Sequence, residues 1–174
     1  PRAAHTFPWD QHQASAALAF SLPGMRFFYE GQFEGREAHV AMQLARRPDE
    51  KPKAEVQDFY KTLLKAMNRP QVRDGEWQAV ECTTETDSNP FVASIWEHEQ
   101  DNPVLTVVNY SDSPGWVTVR ASSEQWRGQQ IPFRDLTSEL VLDKSGDDII
   151  ENGLVLEMPA WGFHIFECGE EPTA

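Results

Sequence analysis

Ser21-Leu-Pro-Gly-Met-Arg-Phe-Phe-Tyr-Glu-Gly-Gln-Phe-Glu-Gly35 is the stretch from which the rest of the chain can be placed. It opens on the end of an apolar helix and breaks at Pro23-Gly24. Proline cannot continue a helix and glycine turns the chain. Residues 25–29 then read as a short buried strand, followed by a polar loop in which Glu30, Gln32 and Glu34 are spaced by Gly31 and Gly35. Helix, tight turn, apolar strand and glycine-bearing loop is the rhythm of one unit of a β/α barrel, whose loop after the strand faces the active site.

Upstream, Asp10 reads as a helix N-cap. From residue 11 to 22, Ala14, Ala17, Leu18 and Leu22 fall on one helical face, with Phe20 beside it. Downstream, residues 30–50 are polar and end in Arg46-Arg-Pro-Asp-Glu50, a connection long enough to suggest function. Val56, Phe59, Tyr60, Leu63, Leu64 and Met67 then form an amphipathic stripe over three turns, closed by Asn68-Arg-Pro70.

Beyond Pro70 the apolar period changes from 3.6 to 2. Residues 75–82, 91–97, 104–110, 116–121, 129–136, 154–158 and 162–168 read as strands separated by Asp-Gly, Asn-Pro, Ser-Pro-Gly and Asn-Gly turn chemistry. That punctuation predicts an antiparallel sandwich, Greek-key-like in its connections. Charge divides the chain at the same place. Residues 1–68 carry a net charge of +1 and residues 69–174 a net of −14. The expected organisation is a β/α unit over 1–68, an all-β sandwich over 71–168 and a tail over 169–174. No internal repeat is visible.

The totals exclude several functions. A net charge of −13 argues against nucleic acid or an anionic membrane surface, and leaves neutral ligands open. No apolar run reaches the ~20 residues of a bilayer span. The start, Pro1-Arg-Ala-Ala-His-Thr-Phe7, lacks both an initiator methionine and a leader. It is expected to be a cut from something longer, with a cytoplasmic location favoured. Cys82 and Cys168 are too few for a disulfide scaffold and are expected to be separate buried thiols. His5, His12, His39, His98 and His164 lack ligand spacing, so neither a metal nor another cofactor is expected.

The words of the chain also resemble a family. "LPGMRFFYEGQ" (22–32) resembles the last barrel strand of the alpha-amylase family of glycoside hydrolases, with "FYKTLL" (59–64) as the helix that follows. "PVLTVVNYSD" (103–112), "FRDLTSE" (133–139) and "LEMPAWGFHIFE" (156–167) resemble successive phrases of that family's all-β domain C, in the family's order. Pro1-Arg2 resembles the end of a phrase that follows the seventh barrel strand. The resemblance implies the last β/α unit of a TIM-type barrel followed by domain C, from an enzyme acting on α-linked glucans by retaining double displacement.

It also implies that the nucleophile, the acid/base and a third carboxylate lie upstream of Pro1. No catalytic residue is then expected in this chain, which alone should be inactive. Glycoside hydrolysis needs two carboxylates about 5–5.5 Å apart in retaining enzymes, and Glu30 and Glu34 at opposite ends of a glycine-bearing loop offer no such pair. Candidate sugar contacts are Arg2, Glu30 and Gln32 beside the barrel's ligand-binding end, and Trp116 and Trp126 as exposed aromatics; Trp77, Trp96 and Trp161 are expected in the core. The competing expectation is a non-catalytic sandwich that binds polysaccharide or serves assembly. Met25, Phe27, Phe28 and the alanine face of residues 14–22 are expected to fit neighbours outside this chain, through the missing barrel or a second copy.

Overall fold

The structure, a computed structural model, describes residues 2–39, 48–86, 88–99 and 101–170. Helix α1 (Ala3–Thr6) is a single turn, and α2 (Trp9–Ser21) follows it. Pro8, not Asp10, is the N-cap of α2; Asp10 sits in the first turn, where its carboxylate faces the positive end of the helix dipole and accepts from the Gln11 amide at 2.8 Å. Helix α3 (Ala54–Met67) carries the expected stripe, with Val56, Tyr60, Leu63 and Met67 buried. Pro70 does not end the helical part. It occupies the first turn of a further short helix, α4 (Pro70–Asp74), where its missing N–H costs nothing.

The strands are β1 (Glu76–Val80), β2 (Cys82–Thr83), β3 (Phe91–Glu97), β4 (Val104–Asn109), β5 (Gly115–Val119), β6 (Gln130–Asp135), β7 (Val141–Ser145), β8 (Leu154–Met158) and β9 (Phe163–Cys168). They form a six-stranded sheet in the order β1-β3-β4-β9-β6-β7 and a three-stranded sheet in the order β2-β5-β8, with every pair antiparallel. The chain crosses to the small sheet at β2, β5 and β8 and back each time, and β9 returns to lie between β4 and β6. This is the crossed sandwich that the turn chemistry predicts.

Two apolar cores lie on opposite faces of the large sheet. Between the sheets, Phe91, Ile95, Leu105, Val107, Phe133 and Phe166 meet Val117, Val119, Leu156 and Met158. On the other face, Trp96, Val104 and Ile165 meet Phe20, Val56, Tyr60, Leu63 and Met67. The order is therefore helices, large sheet, small sheet. Strand β4 is buried at all six positions because both its faces are covered.

That layering corrects one expectation. Ala14 and Ala17 are fully buried against Val108, with Leu18, Trp161 and Phe163 around them. The small side chains let α2 approach the sheet closely, so the alanine face is shaped for this chain's own sandwich. A second correction concerns residues 25–29, which do not form a strand among the described residues. A strand exists only through hydrogen bonds to a neighbour, and no described residue supplies one. Phe28 turns inward and stacks on Phe20 at 4.4 Å. Met25, Phe27 and Tyr29 point outward, 92%, 69% and 73% exposed.

Helices α1 and α4 were not foreseen, and neither were two elements within the sandwich. Strand β7 extends the large sheet, and α5 (Gly146–Asn152) follows it with Ser145 as N-cap. Gly146 is required there, because a Cβ would stand 1.9 Å from the Trp126 carbonyl oxygen. Both cysteines are free; Cys168 is buried, and burial raises the half-buried Cys82 to about 11. Among the described residues no helix is long and apolar enough to cross a membrane. The end of the tail, residues 171–174, and the Arg46-Arg47 pair lie outside the described residues.

Candidate functional site

A cavity of about 910 Å³ opens where α1 and α2 meet the loop after residue 29, with Arg2, His12, Phe27, Tyr29, Gln32 and Arg36 on its walls. The loop is shaped by Gly31, which is buried at φ +80 where a Cβ would strike the Arg2 and Arg36 side chains. Arg2 reaches across it: Nη1 donates to the Glu30 carbonyl and Nη2 to Glu30 Oε2 at 3.2 Å. With the Glu30 side chain 60% exposed, water screens the pair, and its main effect is to place the guanidinium.

Gln32 is held more firmly. Its Oε1 accepts from the Tyr29 amide at 3.1 Å, which leaves Nε2 to donate to the Tyr60 hydroxyl at 2.8 Å. Tyr60 in turn lies 2.8 Å from His12 Nε2. With Gln32 supplying a proton to the phenol oxygen, the hydroxyl's own proton is free for the imidazole, which accepts it in the tautomer that leaves Nε2 unprotonated. The electrostatics agree: burial and then Lys53 lower the His12 pKa, and burial raises that of Tyr60 despite the bond from Gln32. The loop, α2 and α3 are thus joined by one line of neutral hydrogen bonds.

Arg2, Gln32 and Arg36 contribute polar groups to the described lining of this cavity. No Asp or Glu is among its described lining residues, and a glycosidase needs two carboxylates on the scissile bond. A second cluster has the polarity of an Asp–His dyad, since Asp135 Oδ2 lies 2.9 Å from His164 Nδ1. Ser138, however, donates to Asp135 at 2.8 Å, and the Thr137 amide and hydroxyl bind the same carboxylate. The group locks a turn.

Of the five candidate contacts, Arg2, Glu30 and Gln32 come together at the cavity mouth. Trp116 stands apart on the outer face of the small sheet, 58% exposed, with the large sheet between it and the helices. Trp126 is a correction: it is 1% exposed, packed edge-on against Phe133 at 5.5 Å in the inter-sheet core, and has no face for a ligand. Its polar neighbours in sequence concealed this, because α5 folds back over it. Of the expected core tryptophans, Trp96 is buried and Trp77 and Trp161 half-buried.

His12 and Tyr60 were not singled out from sequence. Tyr60 falls on the apolar stripe of α3 and counts there as core, and His12 is one of five scattered histidines. Only the packing of α2 on α3 brings them together.

No family model matches the sequence, and no curated protein matches it. Solved structures do. A noncanonic maltogenic alpha-amylase from Thermotoga neapolitana superposes with a TM-score of 0.69 at 14% identity, covering 95% of this chain and 38% of that one. A debranching enzyme from Nostoc punctiforme superposes with a TM-score of 0.59 at 15% identity, covering 90% of this chain and 29% of that one. This chain spans well under half the length of either, and at such identity the likeness is one of fold. The fold of this chain is that of the C-terminal part of alpha-amylase-family enzymes, as the phrases of its sequence led one to expect.

Proposed function

We propose that the chain is the C-terminal portion of an alpha-amylase-type glycoside hydrolase acting on α-linked glucans. In this reading residues 1–68 end the catalytic barrel, 71–168 are domain C, and 169–174 are a tail. The sandwich braces the barrel, and catalytic carboxylates come from elsewhere in the protein. The observation that carries the reading is the coverage: nearly all of this chain superposes on little more than a third of a maltogenic alpha-amylase. The exposure of Met25, Phe27 and Tyr29 supports it, because apolar side chains of a barrel strand are normally covered by neighbouring strands and helices.

Arg2, Glu30 and Gln32 are proposed to border the sugar cleft of the whole protein. The test is to extend the coding region upstream of Pro1 and assay the product on soluble starch. Release of reducing sugar by the extended protein, lost on removal of any of three upstream barrel carboxylates, is expected; the 174-residue chain alone should release none. Hydrolysis by the chain alone, or an upstream region without those carboxylates, overturns the reading.

A further inference from the structure

The outer face of the small sheet carries an exposed tryptophan that no packing explains. Along β5 and β8 the alternate residues Val117, Val119, Leu154, Leu156 and Met158 enter the core, so Trp116, Thr118, Val155 and Glu157 face out, with Glu157 directly opposite Trp116. Trp116 keeps 58% of its surface and Val155 52%. Trp116, Thr84 and Glu85 line two hollows of about 580 and 570 Å³. Thr118 lies in the first; Asp112 and Ser113 lie in the second.

The geometry points to a sugar-binding surface here, with the Trp116 indole as platform for one ring of a neutral oligosaccharide. The chemistry selects the ligand class. Hydroxyls and carboxylates rim the indole, and no Lys, Arg or His is among the described lining residues of either hollow. An anionic ligand would meet like charge on a chain of net charge −13. A protein partner needs a broader apolar patch than Trp116, Val155, Pro90 and Pro114 offer, since Phe91, which also lines the second hollow, is only 7% exposed. A pyranose presents apolar C–H groups to an aromatic face and hydroxyl protons to carboxylates at its edge, which fits both components. α-Glucan as the particular sugar rests on the proposed function above; the platform itself does not.

The experiment titrates the full 174-residue chain with maltoheptaose, with cellohexaose and with oligolysine, by calorimetry and tryptophan fluorescence. Maltoheptaose should bind and quench the fluorescence. Trp116→Ala should weaken binding about tenfold, the upper end for one aromatic contact, and Trp116→Phe should restore part of it. An unchanged far-ultraviolet spectrum and melt for Trp116→Ala exclude unfolding as the cause. Cellohexaose binding that depends on Trp116, without maltoheptaose binding, upholds the platform and overturns only the α-glucan assignment. Sugar binding unaffected by Trp116→Ala, no sugar binding, or binding of oligolysine alone overturns the platform.

Discussion

Asp135 Oδ2 and His164 Nδ1 lie 2.9 Å apart, and through that bond the turn after β6 is tied to β9. The same carboxylate accepts from the Thr137 amide at 3.0 Å, the Thr137 hydroxyl at 2.8 Å and the Ser138 hydroxyl at 2.8 Å. Burial alone would raise its pKa. The bonds from His164, Thr137 and Ser138 outweigh burial, and the net displacement from 3.8 is downward. A depressed folded pKa contributes stability that is present above the unfolded value and lost as pH falls through the folded one.

Asp135→Asn should therefore cost about 1–3 kcal/mol at pH 7. The deficit against the parent should shrink as pH falls below about 3.8, where the parent's carboxylate also takes up its proton. Urea melts of both proteins from pH 7 to pH 3 check this. A deficit that stays constant through the acid range would show that the Asp135 charge plays no part.

Burial and then Lys53 lower the His12 pKa from 6.5. The unfolded chain then takes up the proton first, so stability held at pH 8 is lost as pH falls below about 6.5. His12→Gln removes this dependence and should flatten the curve between pH 8 and 5.5. Half-buried His98, raised chiefly by its bond to Asp101, acts in the opposite sense but equally in both proteins. Parallel curves for the two proteins would refute the assignment.

The seam between helices and sandwich contains an ion pair. Glu167 is 4% exposed and accepts from Arg69 Nη1. Arg69→Ala removes that donor and should cost about 1–3 kcal/mol, less than for a fully buried pair because Arg69 is 33% exposed. Leu63, with no exposed surface, lies in the same seam, and Leu63→Ala should cost about 2–5 kcal/mol. The measurement is the urea midpoint of each variant. A midpoint unmoved by Leu63→Ala would make α3 peripheral to folding.

The sandwich was legible because its strands announce themselves one at a time. Residues 154–158 alternate between buried and exposed, residues 91–97 form a short apolar run, and both match their strands, β8 and β3, at both bounds. Strand β4, Val-Leu-Thr-Val-Val-Asn, does not alternate, and that continuous run was the available sign of a sheet covered on both faces. Strand β7 was missed because Val-Leu-Asp-Lys-Ser is a weak pattern at a sheet edge. The start of α5 was written in Ser145, whose hydroxyl accepts from the Asp148 amide at 3.5 Å. At the cavity, Arg2, Glu30 and Gln32 were readable from their place around the Pro-Gly turn. The Gln32–Tyr60–His12 line was not, since it joins residues 28 and 48 positions apart.

The last prediction concerns residues 25–29. Phe28 is covered by this chain's own Phe20, Phe33 and Tyr60. Met25, Phe27 and Tyr29 are not covered, and Phe27 meets Tyr29 only edge-on, at 5.7 Å. Burying such side chains stabilises by about 1.5–3 kcal/mol each, so two copies that share them gain appreciably, and exposed extended segments pair readily. The isolated chain should therefore self-associate, and its weight-average mass in sedimentation should rise with concentration. Met25→Glu combined with Phe27→Glu should hold it monomeric without lowering its melting temperature, because neither side chain packs against the core. A parent chain that is monomeric at every concentration tested would mean that this surface tolerates water, and only the remainder of a longer protein would then be left to cover it.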